Sequence, residues 1–223
     1  MMQTSNWGEL FQYAISILEQ ASARVPIHGS WTFGGGTSLM LQIGHRESFD
    51  IDLFLDDPQL LPYLNPETQG FRLPKPPNAC QTDGLRVLKV VFSNVGEIDF
   101  ICAPPLTDAP TRSRDIAGQL CLLDTPAEIV AKKVFYRGAS LQPRDMFDIA
   151  CVMEVMGRAY LEDALRPFAD RCAVALKVAK GMDDLLAKTV MRHLLIREPF
   201  TSVPEKAQAE TIDLMSAVIA GRR

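Results

Sequence analysis

Three aspartates in the first half of the sequence have the residue type and spacing for phosphate chemistry. Asp50 and Asp52 lie in a stretch, Ser48 to Leu55, whose alternation of polar and apolar residues predicts a half-buried strand, so both carboxylates face the same side. Two carboxylates this close repel each other unless a cation lies between them, and Mg²⁺ suits such a site because it prefers carboxylate, water and phosphate oxygens. The pair therefore indicates metal-dependent phosphoryl or nucleotidyl transfer.

The third carboxylate is Asp99, in a strand predicted over residues 97–103. Residues 94–96 separate this strand from another over 85–93, so the two are expected to pair as an antiparallel hairpin. Three shared carboxylates can hold two metal ions about 3.5–4 Å apart. We therefore expect a two-metal Mg²⁺ site, which Mn²⁺ could also fill, with Asp99 as the general base for the attacking hydroxyl.

A glycine-rich turn supplies the expected phosphate site. Gly35, Gly36 and Thr37 precede the apolar run 38–43, which predicts a turn that opens a short helix. The backbone N–H groups and the positive dipole end at the start of such a helix bind anions. Gly36 lets a phosphate approach the backbone closely, and the Thr37 hydroxyl can donate to it.

Each of these features is weak alone, because an Asp-x-Asp strand is often a solvated face and glycine turns are common. Their combination in one half of the chain favours a catalytic site for nucleotidyl transfer. The residues leave two alternatives open. One is a nucleotide-binding module that acts through a partner protein without catalysis, and the other is a kinase that uses the same metal site to transfer the γ-phosphoryl group.

The stretch from Gly35 to Leu55 resembles the polymerase-β-like nucleotidyltransferases, and within them the AbiEii/AbiGii toxin family of bacterial abortive-infection and toxin–antitoxin proteins. That family typically shows G-G-T-x-L followed by R-x-S-x-D-I-D-L, then A-x-K with an aliphatic and an aromatic residue, and finally K-P-R-D-L-F-D-L. The last two motifs are matched here by residues 131–135 and 142–149, so the resemblance covers about residues 30–155. The second motif is matched by Arg46, Ser48, Asp50, Asp52 and Leu53.

The resemblance implies an α+β fold, in which a polymerase-β-like core of a small mixed sheet with helices is followed by a helical C-terminal half. It implies an enzyme that transfers a nucleoside monophosphate from an NTP to an acceptor, either tRNA or a protein, and a cognate antitoxin that restrains it. It also implies that Lys133 contacts the nucleotide phosphates and that Asp148 orients Lys133 or the ribose. The other residues that it places at the nucleotide are Arg46, Ser48, Arg144 and Asp145.

The helix predicted over residues 126–138 carries two lysines with different surroundings. Lys132 lies four residues after Glu128, which is the spacing of a surface ion pair. Lys133 and Arg137 lie on the other flank with no acidic residue in register, which suggests that an anion binds there.

The next predicted helix, residues 143–157, carries two aspartates at different depths. Asp145 lies near the start of the helix, where a carboxylate stabilises the helix dipole without any further role. Asp148 lies on the same face and deeper in the helix. Arg144 either binds phosphate or pairs with one of these aspartates, and the residues alone do not separate the two roles.

The chain is expected to divide after residue 118 into a nucleotidyltransferase core, 1–118, and a helical domain, 119–223, that completes the active site. Residues 1–118 hold 8 Lys and Arg against 13 Asp and Glu, whereas residues 119–223 hold 15 against 14. A phosphate-binding surface therefore fits the second half better. The segment 56–84 holds six of the 15 prolines and is expected to be a surface excursion, either a lid or an inserted loop. Further helices are predicted over 6–23, 159–179, 183–197 and 204–220.

Composition excludes several classes of protein. The 223 residues are 47% hydrophobic and 22% charged, which is typical of a globular protein and excludes disordered and fibrous ones. The net charge of −4 disfavours a surface devoted to nucleic acid. Since no long apolar run or basic signal-peptide start is present, we expect a cytoplasmic protein with no membrane partner. The five cysteines are expected to be small buried apolar residues, and His28, His45 and His193 to be ordinary core or surface residues.

Overall fold

The computed structural model describes residues 6–27, 29 and 31–221, so His28 lies outside the described residues. The chain forms two compact units whose segments alternate along the sequence. The first unit comprises Met1–Ser38, Ser48–Pro105 and Thr111–Asp124, and the second comprises Leu39–Glu47, Leu106–Pro110 and Thr125–Arg223. The expected division into a nucleotidyltransferase core, 1–118, and a helical domain, 119–223, stays a prediction.

The described residues of the first unit contain a mixed seven-stranded sheet. Its strands are β1 (Trp31–Gly34), β2 (Ile51–Leu55), β3 (Ala79–Thr82), β4 (Val87–Phe92), β5 (Gly96–Cys102), β6 (Thr111–Ile116) and β7 (Gln119–Asp124). The strand order is β3-β4-β5-β2-β1-β7-β6. β2 pairs in parallel with β5 and antiparallel with β1, β1 pairs in parallel with β7, and β4 and β5 form the predicted antiparallel hairpin.

One face of this sheet is apolar and is covered by helix α1 (Trp7–Ser22). Alternate residues of β2 are buried, beginning with Ile51, whereas Asp52 is partly exposed on the other face. The ring of Phe11 in α1 stacks on that of Phe33 in β1, with 5.3 Å between the centroids. The packing of α1 on the apolar face leaves the carboxylates on the opposite, polar face.

The proline-rich segment 56–84 has more structure than the expected surface excursion. It contains a 3₁₀ helix at Pro58–Leu64, the short helix α3 (Pro66–Gln69) and the edge strand β3. Leu61 and Leu64 of the 3₁₀ helix are buried. The burial of these leucines shows that the segment is in part core. Its apolar side chains pack inward although its prolines predicted a surface position.

The β6–β7 hairpin was not predicted from the sequence. Its two strands pair antiparallel around Ala117 and Gly118, which both have positive φ, at 53° and 84°. A two-residue turn with positive φ at both positions matches the twist of a hairpin. β7 joins the sheet by pairing with β1, which is about 90 residues earlier in the chain. Residue periodicity within one segment does not reveal a pairing between strands this far apart in the sequence.

The second unit is helical. The helix predicted over 159–179 is instead two helices, because Arg166–Phe168 forms a 3₁₀ turn around Pro167, whose nitrogen has no hydrogen to donate. The helix predicted over 183–197 ends at Arg192. The helices that follow β7 are α4 (Pro126–Arg137), α5 (Pro143–Met156), α6 (Arg158–Leu165), α7 (Ala169–Gly181), α8 (Asp184–Arg192) and α9 (Ala207–Ala220).

Two other sequence expectations can be compared with the structure. Across residues 6–27, 29 and 31–221, every helix is too short or too polar to span a bilayer. The five cysteines are unpaired thiols, of which Cys121, Cys151 and Cys172 are buried as expected, whereas Cys80 and Cys102 are partly exposed. Burial raises the pKa of Cys172 to about 12, so this thiol is protonated and inert.

Candidate active site

Asp52 and Asp99 lie next to each other on neighbouring strands. β2 and β5 pair in parallel with Asp52 opposite Asp99, so both carboxylates project from the same face of the sheet. The residues that follow them, Leu53 and Phe100, also pair and are fully buried on the other face. A slip of one residue would exchange the two faces and bury the carboxylates, so the apolar packing fixes this register.

Gly35 begins helix α2 (Gly35–Ile43) directly beside Asp52. Its φ is +66°, and a Cβ built on it would lie 1.9 Å from Oδ2 of Asp52. Only glycine meets both requirements, since it has no side chain and adopts positive φ without strain. The first turn of α2, in which Gly36 is partly exposed, therefore brings an anion-binding helix N-terminus to the Asp52 carboxylate.

Thr37 fixes the start of α2 to the residues that precede β2. Its buried hydroxyl donates a hydrogen bond to the backbone carbonyl oxygen of Asp50 at 2.5 Å, and its oxygen lies 3.0 Å from Oγ of Ser48. Both contacts position Asp50 relative to the helix. The expected donation from Thr37 to phosphate and the expected contact of Ser48 with nucleotide stay predictions.

Asp50 lies just before β2, which is shorter than the strand predicted over 48–55. Its Oδ1 accepts a hydrogen bond from the backbone N–H of Glu97 at 3.1 Å. Glu97 belongs to β5, two residues before Asp99. The carboxylate of Asp50 is therefore held near the N-terminal ends of β2 and β5, where its charge acts on Asp99. We call Asp50, Asp52 and Asp99 the carboxylate group.

Lys89 of β4 is a fourth charged residue at the carboxylate group, and the sequence analysis missed it. Its Nζ lies 3.1 Å from each carboxylate oxygen of Asp99 and also pairs with Glu97. Burial raises the pKa of Asp99; Lys89 opposes this rise, and the carboxylates of Glu97 and Asp50 add to it. The signal available in the sequence was a single lysine inside an apolar hairpin strand opposite an aspartate.

The residues present fit a divalent cation bound by two carboxylates. Asp52 and Asp99 are adjacent, and the buried Oδ1 of Asp99 forms an ion pair with Lys89 at 3.1 Å but accepts no hydrogen bond from the described residues. In the same part of the chain, no three Asp, Glu, His or Cys side chains are arranged to hold a metal ion. Mg²⁺ commonly takes one or two carboxylates and completes its coordination with water and substrate phosphates. Asp52 and Asp99 are therefore the residues that would hold such an ion, with Asp50 beside them.

The second unit contains a buried charge cluster around Asp148. Arg46 donates to both carboxylate oxygens of Asp148, from Nε at 2.8 Å and from a terminal nitrogen at 3.0 Å. Nε2 of His45 lies 2.9 Å from Oδ1, and Nζ of Lys133 lies 3.0 Å from Oδ2. The members of the cluster are His45, Arg46, Lys133, Asp145 and Asp148, all of them buried.

Mutual pairing keeps Arg46, Lys133, Asp145 and Asp148 charged in spite of burial, whereas His45 is neutral. Burial by itself would raise the pKa of Asp148, but Arg46, Lys133 and His45 hold that pKa well below its ordinary value. Burial by itself would lower the pKa of Lys133, but Asp148 and Asp145 raise it. Burial lowers the pKa of His45, so its ring is neutral and donates from Nε2 to the ionised Asp148.

Asp145 lies at the helix N-terminus as expected and also contacts Lys133, which the sequence did not predict. Its Oδ2 accepts the backbone N–H of Gln142 at 3.1 Å, at the N-terminus of α5, and its Oδ1 accepts a hydrogen bond from Lys133 at 2.6 Å. A terminal nitrogen of Arg137 lies 3.5 Å from the same carboxylate. Arg144 is exposed and forms no ion pair with a described residue, so it pairs with neither aspartate.

Two expectations about α4 are wrong. Lys132 does pair with Glu128, at 3.5 Å between Nζ and Oε1, but both side chains are buried rather than at the surface. Lys133 and Arg137 do not lack an acidic partner, because Asp145 of α5 contacts both. Spacing within one helix does not reveal partners on another helix.

The predicted site residues therefore form two groups, one in each unit, and the role of each residue toward a nucleotide stays a prediction. His45 was expected to be an ordinary core or surface residue, although its position next to the motif residue Arg46 was a signal. The first unit brings together Gly35, Gly36, Thr37, Ser48, Asp50, Asp52 and Asp99. The second unit brings together Arg46, Lys133, Asp145 and Asp148, and leaves Arg144 outside.

Comparison with solved structures shows the class of fold. MenT4, a nucleotidyltransferase toxin from Mycobacterium tuberculosis H37Rv, is 17% identical with a TM-score of 0.54, covering 93% of this chain and 82% of that one. A candidate nucleotidyltransferase from Helicobacter pylori is 16% identical with a TM-score of 0.50, covering 100% of this chain and 97% of that one. At these identities the likeness concerns the fold alone, and it confirms the expected α+β nucleotidyltransferase fold.

The family is shown by a second comparison. The family model described as nucleotidyl transferase AbiEii toxin, of type IV toxin–antitoxin systems, matches residues 16–216. Because this match spans most of the chain, the protein belongs to the AbiEii nucleotidyltransferase toxin family and is a nucleotidyltransferase. No curated protein matches the sequence significantly. The resemblance seen in the motifs is confirmed, and it extends well past residue 155.

Proposed function

We propose that this toxin transfers a nucleoside monophosphate from an NTP to a hydroxyl of tRNA in the cytoplasm, with a divalent cation bound at Asp52 and Asp99. The observation that carries the proposal is the register of β2 and β5, which sets these two carboxylates side by side next to the start of α2 at Gly35. A cognate antitoxin, as in type IV systems, would restrain this activity.

The carboxylate group and the start of α2 have different parts in the proposal. Backbone N–H groups at Gly35 and Gly36 bind triphosphate oxygens at the helix N-terminus. Asp50 accepts a hydrogen bond from the backbone N–H of Glu97, which holds its side chain beside the pair. Burial makes the carboxylate of Asp99 more basic, which suits it to accept the proton of the attacking hydroxyl. A bound divalent ion would offset the phosphate charge and stabilise the leaving pyrophosphate.

The contribution of the second unit rests on the family resemblance. Lys133 is proposed to contact the phosphates, and Asp148 to hold Lys133 in place, which its 3.0 Å contact supports. Arg46 also binds Asp148 and so takes part in the same arrangement. Arg144 is exposed, which leaves its guanidinium available for phosphate.

Label transfer from NTP tests the proposed reaction. The protein is incubated with Mg²⁺, total cellular RNA or total protein, and each of the four NTPs labelled either in the α- or in the γ-phosphate. We expect α-label in the tRNA fraction and none from γ-label, and at least about 100-fold less transfer by Asp52→Asn, since the change weakens a ligand of the cation that would stabilise the transition state. Label in protein instead of RNA would show that the acceptor is a protein and not tRNA. Label from the γ-phosphate in the acceptor would show that the protein is a kinase.

A matched variant separates loss of chemistry from loss of fold. Asp56→Asn makes the same change at an exposed aspartate four residues later. It is expected to transfer label at the rate of the unaltered protein. Circular dichroism of Asp52→Asn should show an intact fold, and unchanged transfer by that variant would defeat the proposal.

A further inference from the structure

Lys89 is placed against the carboxylate group by the sheet itself. β4 and β5 pair antiparallel with Lys89 directly opposite Asp99. Its strand neighbours Leu88 and Val90 are buried on the apolar face, opposite Phe100 and Ile98. Moving Lys89 away from Asp99 would require the hairpin to change register and expose those residues, so the lysine is a fixed part of the site.

The ammonium of Lys89 is held by two anions and has little freedom to leave. Nζ lies 3.1 Å from the carboxylate oxygens of Asp99 and pairs with Glu97 on the same strand. The lysine side chain is 29% exposed and that of Asp99 is 20% exposed, so the pair is only partly screened by water. A cation that approaches Asp99 therefore meets a like charge at short range.

We propose that Lys89 is a built-in counter-cation of the carboxylate group, which occupies the place of a second divalent ion beside Asp99. The protein without nucleotide then binds one divalent ion instead of the two that three carboxylates would attract. This inference rests on the proposed function, because it assumes that Asp52 and Asp99 bind divalent ions. In this arrangement Lys89 is a positioning residue, which sets the charge of the site without touching the reacting atoms.

Mn²⁺ titration of the nucleotide-free protein tests this role without any measurement of activity. Free Mn²⁺ is followed by electron paramagnetic resonance for the unaltered protein, Lys89→Met and Lys89→Gln. We expect one bound Mn²⁺ in the unaltered protein. In both variants we expect either a second bound Mn²⁺ or affinity tighter by about 10-fold or more, because a repelling unit charge within 4 Å has been removed. The glutamine variant keeps a polar side chain in the strand and serves if the methionine variant does not fold.

A control separates the local charge from the overall charge. Nζ of Lys75 donates a hydrogen bond to the backbone carbonyl of Ser93, at 2.8 Å, and forms no ion pair with a carboxylate among residues 6–27, 29 and 31–221. Lys75→Met removes one positive charge from the same unit and is expected to bind Mn²⁺ like the unaltered protein. A general charge effect would change both Lys75→Met and Lys89→Met, and that result would overturn the inference.

Further outcomes distinguish this inference from the proposed function. Two Mn²⁺ ions in the unaltered protein, or the same stoichiometry and affinity in the Lys89 variants as in the unaltered protein, would overturn the role of Lys89 alone. Asp52→Asn is expected to abolish the Mn²⁺ binding. Binding that survives Asp52→Asn, or an absence of binding in every variant, would overturn the proposed metal site and the role of Lys89 with it.

Discussion

At the scale of single residues, the site depends on the absence of a side chain at Gly35. The Oδ2 atom of Asp52 occupies the space that a Cβ at this position would need, 1.9 Å from it. Neighbouring Gly34 is similarly placed, since its Cβ would lie 2.5 Å from Oδ2 of Asp124. Gly34 and Gly35, of which the second belongs to the G-G-T-x-L motif, are therefore required first by carboxylates of the protein itself, and only then by any phosphate.

Replacing Gly35 by alanine is expected to displace Asp52 and to lower activity by about 100-fold, since misplacing a reacting group by about 1 Å costs this much. The positive φ adds a cost of about 1–2 kcal/mol in the free energy of unfolding. Gly44 is the matched control, because its φ is +67° and a Cβ there would have no atom within 4 Å. Gly44→Ala carries the same backbone cost without the clash. Label transfer and urea unfolding of both variants measure the difference, and equal activities would show that the contact with Asp52 is unimportant.

At the scale of elements, the buried charge cluster holds α4 and α5 to the residues that follow α2. Lys133 comes from α4, Asp145 and Asp148 from α5, and His45 and Arg46 from the segment after α2. Asp148 receives hydrogen bonds from three of these side chains. Removing one partner would leave a buried charge uncompensated, which typically destabilises a protein by about 3–5 kcal/mol. The cluster therefore fixes the relative position of elements within the second unit.

The pH dependence of stability has a contribution from His45. Its folded-state pKa lies below the unfolded value of 6.5, because burial outweighs the attraction of Asp148, and Arg46 and Lys133 lower it further. Below pH 6.5 the unfolded chain therefore binds more protons, and stability falls as the pH falls through this value. The lowered pKa values of Asp145 and Asp148 act only at about pH 4 and below, so the two windows are separate.

We expect the free energy of unfolding to fall by at most about 1 kcal/mol between pH 6.5 and 5.5, and His45→Gln to remove most of this fall. Urea unfolding at half-unit pH steps measures it. His193→Gln is the control, since His193 is exposed and its Nδ1 lies 2.7 Å from the backbone oxygen of Thr189. That variant should keep the pH dependence of the unaltered protein. A His45→Gln curve parallel to that of the unaltered protein would contradict the buried neutral state of His45.

At the scale of the whole molecule, the chain contributes to both compact units more than once. The residues between α2 and β2 divide between them, with His45 and Arg46 in the second unit and Asp50 in the first. In the sequence, three residues therefore separate Arg46 of the buried charge cluster from Asp50 of the carboxylate group. The motif R-x-S-x-D-I-D-L is one segment in sequence but supplies both units.

Membership of a toxin family predicts a phenotype for the whole protein. Induced expression in a bacterial host without the antitoxin is expected to arrest growth, and Asp52→Asn is expected to restore growth close to that of an empty vector. Asp56→Asn should arrest growth as the unaltered protein does. Growth curves with matched protein levels by immunoblot measure this, and arrest by Asp52→Asn would show that toxicity does not require the carboxylate group.

Local elements were predictable because their signals lie in short stretches of sequence. The apolar spacing of α1, the proline and glycine that bound α4, and the hairpin of β4 and β5 all correspond to the structure within a few residues. The break at Pro167 and the β6–β7 hairpin were not predicted. The first was masked by continuous helical periodicity on either side, and the second required the pairing of β7 with the distant β1.

The sequence by itself identified the family and predicted the three aspartates and the glycine turn as site residues. These predictions were possible because the residues lie in motifs or in adjacent strands with clear periodicity. Tertiary structure alone decided which charges are paired. Arg46 and Asp148 are 102 residues apart, and the partner of Lys133 comes from another helix. Lys89 gained its relation to Asp99 from the register of a hairpin. Electrostatic pairing depends on distance in space, and spacing along one element does not report that distance. The ion pairs of the carboxylate group and of the buried charge cluster therefore follow only from the fold.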